Sequence, residues 1–216
     1  MNNNKTKDFV SILKNYSDGI PFLEKQKFIY RPYLCPFDTI LKLLEKNKTI
    51  FDIGCGLGAF SLLATKYLNP NSFKGIDISK DVIEQAKSLY SKLEQDYDYI
   101  FETYNGWDIP LDIGRYDYVT IIYVFHHINP KNQKEFILQL YKKMSPGSFL
   151  IMKDINKASP LVLMNKLHDL IISKEIVNEV SKEHMINILS DTGFNVIYES
   201  IETKLWYPHY TIKCHK

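Results

Sequence analysis

Asp52, Asp77 and the pair His126–His127 each close an apolar run in this 216-residue chain. Asp52 precedes Gly54-Cys55-Gly56-Leu57-Gly58, a turn with three glycines. Glycine tolerates positive φ and has no Cβ, so a ligand can approach the main chain closely there. A helix that follows such a turn aims its unpaired N–H groups back at the ligand. A loop that holds only phosphate has little use for a neighbouring carboxylate, whereas a loop that also holds an ammonium group does. Asp77 lies 23 residues beyond Gly54, the distance at which an acidic side chain meets ribose hydroxyls. Histidine at a strand end has the basicity of a general base near neutral pH.

The elements that must position these groups follow from periodicity. Thr49–Ile53, Ser72–Ile78, Asp98–Tyr104, Tyr116–Phe125 and Ser148–Lys153 read as strands. Between them, Gly58–Leu68, Ser79 to about Leu93 and Asn132–Lys143 read as helices, Ser79 serving as an N-cap. Alternating strands and helices predict βαβ units, a mostly parallel sheet and right-handed crossovers. Upstream, residues 9–30 read as one or two short helices, Arg31–Phe37 with its two prolines as a turn, and Asp38–Lys46 as a helix. Downstream, Ser181–Asp191 reads as a helix ended by Gly193, and Phe194–Ile201 with His209–Cys214 as a hairpin.

Gly54-x-Gly56-x-x-Ala59 alone fits a dinucleotide loop. Nicotinamide cofactors and S-adenosylmethionine both present an adenosine, so Asp77 does not separate them. Asp52 does, because S-adenosylmethionine carries an α-amino group and no pyrophosphate. The plainer reading of Asp52 is a carboxylate that caps the next turn.

Phe51–Gly58 resembles the first motif of the class I, Rossmann-like S-adenosylmethionine-dependent methyltransferases. Gly75-Ile76-Asp77-Ile78-Ser79 is similar to their second motif. Tyr116-Asp117-Tyr118-Val119 leading to Phe125-His126-His127-Ile128 resembles their fourth strand, and Met144-Ser145-Pro146-Gly147 the turn before the fifth. These motifs cover residues 45–155. The resemblance implies an α/β fold with a doubly wound, seven-stranded, mostly parallel sheet whose seventh strand is antiparallel. It implies S-adenosylmethionine as cofactor, with S-adenosylhomocysteine as product. Asp52 and the Gly54-Cys55-Gly56 backbone would hold the methionine moiety, Asp77 the ribose, and Ile78 the adenine face. Asn105, followed by Gly106, falls where the family places an acidic residue on the adenine amino group, and Asp108 is the alternative. Tyr123 falls where methyl group and acceptor meet. His126 and His127 are the catalytic candidates; either could instead be structural.

The resemblance also implies a small-molecule O- or C-methyltransferase of small-molecule biosynthesis. After the fourth strand the chain reads Val124-Phe125-His126-His127, without an Asn/Asp-Pro-Pro-Tyr stretch. The apolar segment 158–180 favours a lipid-like, polyketide-like or aromatic acceptor if it is a lid inserted after strand five; a dimer face or plain core are its other readings. Residues 1–37 would form a helical cover, with Tyr30, Tyr33 and Phe37 over the cofactor or in the core. The alternative functions are a protein or nucleic-acid methyltransferase and a catalytically inactive S-adenosylmethionine-binding module.

Bulk composition narrows the partners. A formal net charge of +2 gives no footprint for nucleic acid. The three cysteines contain no CxxC pair, so neither a metal site nor a disulfide framework is expected. No signal peptide is visible and no apolar run reaches a membrane span. The expectation is one cytoplasmic methyltransferase domain over 1–216, monomeric or homodimeric. His168, Asp169 and His209 lie outside the matched motifs and read as exposed or structural, and Lys153 with Asp154 reads as either a loop-holding salt bridge or a substrate contact.

Overall fold

The computed structural model describes residues 3–93, 98–157, 178, 180–205 and 207–216. By their packing they fall into two compact units, Met1–Asp108 and Ile109–Lys216.

In the first unit, helices α1 (Asn3–Asn15), α2 (Phe22–Leu34) and α3 (Phe37–Leu43) precede β1 (Thr49–Ile53). The expected turn at Arg31–Phe37 begins later than its prolines suggest, because α2 runs through Pro32. A proline inside a helix removes one ladder hydrogen bond. Here it sits in the last turn with its ring buried, so little of the ladder follows it, and the break falls at Cys35 and Pro36. Then come α4 (Ala59–Leu68), β2 (Ser72–Asp77), α5 (Lys80–Tyr90) and β3 (Tyr99–Thr103). Strands β1, β2 and β3 pair in parallel, with Asp52 opposite Gly75 and Asp77 opposite Thr103.

The second unit contains β4 (Tyr118–Ile122), a short 3₁₀ turn at Phe125–His127, α6 (Pro130–Lys143), β5 (Phe149–Ile155), α7 (Lys182–Thr192), β6 (Asn195–Lys204) and β7 (Tyr207–His215). β4 is buried at all five positions, as a two-sided apolar run requires. It pairs in parallel with β5, and β7 runs antiparallel between β5 and β6. β4 is shorter than the run Tyr116–Phe125, because the chain leaves the sheet at Tyr123 with φ +57 and tightens into the 3₁₀ turn.

The seven strands follow the order β3-β2-β1-β4-β5-β7-β6. This is the doubly wound, mostly parallel sheet with an antiparallel seventh strand that the motifs imply. The segment read as a lid, 158–180, lies outside the described residues except for Asn178 and Val180, and so do His168, Asp169 and Trp206.

Candidate functional site

The first unit gathers Asp52, Gly54, Cys55, Gly56, Asp77, Ile78, Asn105 and Gly106 around the carboxyl ends of β1, β2 and β3. That is where ligands sit in parallel α/β sheets. Asp52, Phe51 and Ile53 are buried in β1. The loop after it is tied to the neighbouring strand, since the N–H groups of Gly54 and Cys55 both donate to the carbonyl of Ile76, at 2.7 and 3.1 Å. Gly54, Gly56 and Gly58 adopt φ of +74, +55 and +80, a region that side chains with a Cβ rarely enter.

The glycines differ in what lies before them. A Cβ on Gly56 would meet nothing within 4 Å, so its main chain faces open space. A Cβ on Gly58 would stand 2.8 Å from the ring of Tyr90, which is buried beneath the loop and donates its hydroxyl to the Gly58 carbonyl at 3.0 Å. Burial drives the Tyr90 phenol well above its ordinary pKa, so it stays a donor. Sequence reasoning missed Tyr90, a helical tyrosine with no motif around it. Gly75 has a similar role on β2, where a Cβ would lie 2.8 Å from Cys55 Sγ and 2.9 Å from Phe101. The absence of that carbon lets Cys55 turn inward. Burial, with Asp52 and Asp77 nearby, holds the Cys55 thiol well above its usual pKa.

Asp77 is clamped by the backbone. Its Oδ2 accepts from Gly56 N–H and its Oδ1 from Ser79 N–H, each at 3.0 Å. Both oxygens keep further lone pairs with fixed directions, which suits a vicinal diol. Ile78, next along the chain, is 69% exposed, an unusual position for a large aliphatic group directly after a buried strand. Gly106 makes room for it, since a Cβ there would lie 3.2 Å from the Ile78 side chain. Asn105 folds back on its own turn, its Oδ1 accepting from the N–H of Trp107 at 3.0 Å and of Asp108 at 2.7 Å. Its Nδ2 donates to the Asp108 carboxylate at 2.6 Å. Asp108 is thus the acidic group of that turn, and Asn105 aims it.

These observations fit an adenosine with a short charged tail. The open Gly56 backbone, the clamped carboxylate and the uncovered aliphatic side chain would hold methionine moiety, ribose and adenine in turn.

The second unit gathers Tyr123, His126, Asp154 and His209 about the end of β5. His126 is buried at 6% exposure. Its Nδ1 lies 2.5 Å from Asp154 Oδ1, and its backbone N–H donates to Oδ2 of the same carboxylate at 3.1 Å. The His126 carbonyl accepts from the Asn178 N–H at 2.8 Å. His127 is exposed and its ring packs on that of His126, centroids 4.1 Å apart. Lys153 and Asp154 are adjacent but separate in role. Lys153 is fully buried and bonds Glu202 Oε1 at 2.5 Å and Thr211 Oγ1 at 2.8 Å, whereas Asp154 turns to His126. Tyr123 bonds His209 Nδ1 through its hydroxyl at 2.6 Å, with the two rings edge to face. His209, read from the sequence as exposed or structural, is buried. Among the described residues no group of three or more His, Cys, Asp or Glu side chains is gathered as a metal site would need, and no helix is long and apolar enough to cross a membrane.

A glycine cradle after β1, an acidic end to β2 and this strand order define the class I, Rossmann-like S-adenosylmethionine-dependent methyltransferase fold. Residues 27–199 match the family described as a methyltransferase domain, and the chain belongs to that family. Among curated relatives, the mitochondrial ubiquinone biosynthesis O-methyltransferase of Candida albicans is 33% identical over 116 residues, 53% of this chain and 35% of that protein. A tRNA N(3)-methylcytidine methyltransferase of Drosophila melanogaster is 25% identical over 130 residues, 58% of this chain and 40% of that one. The chain therefore spans well under half the length of these relatives. Among solved structures, magnesium protoporphyrin IX methyltransferase from Synechocystis PCC 6803 with bound SAH aligns at a TM-score of 0.70 with 19% identity, covering 99% of this chain and 95% of that one. A SAM-dependent methyltransferase from Methanosarcina mazei aligns at 0.66 with 22% identity, covering 82% and 96%. At these identities the structural likeness speaks for the fold.

Proposed function

We propose that the protein transfers the methyl group of S-adenosylmethionine to a small-molecule acceptor, at a hydroxyl oxygen or an acidic carbon, and that the acceptor is apolar: lipid-like, polyketide-like or aromatic. The observation that carries this reading is the buried His126–Asp154 pair at the end of β5. With Nδ1–H donated to the carboxylate, the imidazole lone pair lies on Nε2, and Asp154 stabilises the positive charge when Nε2 takes a proton. Methyl transfer to a hydroxyl or carbon acid needs such a base; transfer to a group that is already nucleophilic does not.

When bound, S-adenosylmethionine supplies an electrophilic methyl group whose leaving group departs as a neutral thioether. The chain does the rest. The Gly54–Gly56 backbone and Asp52 hold the amino-acid end, Asp77 fixes the ribose, and Ile78 with Gly106 supports the adenine. His126 removes the acceptor proton, and the exposed His127 packs against its ring. The printed activities of the ubiquinone-pathway relative and of the Aspergillus sclerotiorum O-methyltransferase resE, 26% identical over 152 residues, support an oxygen acceptor.

The test pairs calorimetry with label transfer. S-adenosylhomocysteine should bind and NAD should not. The labelled methyl group should then appear in low-molecular-weight hydroxylated acceptors. Because one relative is named for tRNA, bulk tRNA belongs in the same panel; label entering tRNA and no small molecule would overturn the proposal.

A further inference from the structure

Strand β6 ends the sheet order, so among the described residues no strand lies on its outer side. Alternate residues of such a strand aim their N–H and C=O groups away from the sheet, a template for a further strand. Edge strands are commonly protected by shortness, by charge or by a bulge. β6 is ten residues long. Both of its carboxylates are engaged within the chain, Glu199 with Lys182 Nζ at 2.7 Å and Glu202 with Lys153 Nζ at 2.5 Å. Its bulge falls between Val196 and Tyr198, at one end, and leaves the ladder to β7 regular from Tyr198 to Lys204.

The same edge exposes apolar side chains at an even spacing. Ile197, Ile201 and Leu205 are 50%, 53% and 60% exposed. Ile197 precedes Ile201 by four residues and Leu205 follows it by four. Four residues span roughly 13 Å of strand. A pattern symmetric about one residue of an edge strand matches a second copy of itself across a two-fold axis through that residue. An isologous contact has this symmetry, residue i meeting j and j meeting i.

With the axis at Ile201, the strand of a second copy runs antiparallel to the first. Ile201 faces Ile201, and Ile197 faces Leu205 on both sides of the axis. Between them Glu199 faces Thr203, Ser200 faces Glu202, and Tyr198 faces Lys204, an aromatic ring against a cation. No like charges stand directly opposite each other. Moving the axis by one residue destroys the match. At Ser200 it sets Ile201 against Glu199, and at Glu202 it sets two carboxylates face to face, which is destabilising. The order of apolar and charged groups along the edge therefore selects one register.

We propose that β6 is a homodimer interface in which two copies of this chain pair antiparallel about Ile201, joining their seven-stranded sheets into one. A second copy is the partner this edge matches, because its apolar, acidic and hydroxyl positions answer one another about Ile201. The pairing involves the sheet edge alone and is independent of what the protein methylates.

Light scattering of the full chain should give a mass of twice 25.3 kDa. Ile201→Lys sets two cations on the axis and should return the mass to 25.3 kDa with unchanged circular dichroism. Cysteine substitutions read the register. Ile201→Cys stands opposite itself across the axis and should form a disulfide between copies under mild oxidation. Thr203→Cys stands opposite Glu199 and should not cross-link to itself, whereas a mixture of Thr203→Cys and Glu199→Cys chains should cross-link.

A wild-type mass of 25.3 kDa at every concentration overturns the proposal. So does a dimer that survives Ile201→Lys, since its contact lies elsewhere. Failure of Ile201→Cys to cross-link in a dimeric chain, or self-linking of Thr203→Cys at the same rate, overturns the register and the proposal with it. If Ile201→Lys fails to fold, the cysteine series still decides. Monomers that co-sediment with phosphatidylglycerol vesicles, and lose this with Ile201→Lys, give the edge to a membrane and overturn the homodimer.

Discussion

The carboxylate of Asp77 accepts a hydrogen bond at 3.0 Å from the amide of Gly56, joining the end of β2 to the glycine loop after β1 across 21 residues of sequence. One side chain thereby ties the end of β2 to the shape of the loop beside it.

Removing that carboxylate should cost binding. Asp77→Ala loses a charge-assisted acceptor worth about 1.5–3 kcal/mol, roughly ten- to more than a hundredfold in affinity. Calorimetric titration with S-adenosylhomocysteine should show this, with Asp77→Asn falling between. Unchanged affinity would remove Asp77 from the ribose site.

Packing beneath the loop can be probed at Gly58. A methyl group there meets Tyr90 at 2.8 Å and must also hold φ at +80. Overpacking and left-handed strain together should destabilise Gly58→Ala by about 1–3 kcal/mol, read as a lower urea midpoint at constant slope. Tyr90→Phe removes the hydroxyl that bonds the Gly58 carbonyl and leaves the ring in place, and should cost about 1 kcal/mol. If Gly58→Ala matched the wild type, the ring would not be where the structure has it.

Asp154 should matter to rate more than to donor binding. Asp154→Asn leaves His126 Nδ1 without its anionic partner, so turnover should fall by about 10²-fold while affinity for S-adenosylhomocysteine holds. His127→Ala, which removes an exposed ring, should cost much less than His126→Ala. The reverse ranking in a turnover assay would transfer the base to His127.

Tyr104 makes a pH prediction. Burial, with Asp77 and Cys55 nearby, pushes its pKa from 10 to about 12. Below pH 10 both folded and unfolded chains keep the proton. Between pH 10 and 12 the unfolded chain loses it first, so stability falls as pH rises, by about 2–3 kcal/mol for a shift of this size. Denaturant titrations across that window should show a shallower fall in Tyr104→Phe; parallel curves would refute the shift.

Legibility in the sequence followed the range of the interactions. Thr49–Ile53 was readable to the residue, because a short β-branched and aromatic stretch between Lys48 and the glycine turn at Gly54 reads as a strand with sharp ends. Ser79 was readable as an N-cap since the cap bond to Val82 N–H spans only three residues. The last turn of helix α2 was not, as a proline near a helix end and a proline in a turn look alike until the surrounding core buries the ring.

The candidate site divides in the same way. The identities and spacing of Asp52, the glycines, Asp77, Ile78 and the two histidines marked the strand ends and the loop proposed to cradle the cofactor. Only tertiary structure separated Lys153 from Asp154, ranked a buried His126 over an exposed His127, placed Tyr90 under the loop, and joined Tyr123 to His209 across 86 residues. Sequence records which groups can donate and accept. Which of them meet depends on strand order and register, and these are set by how the whole sheet buries its two faces.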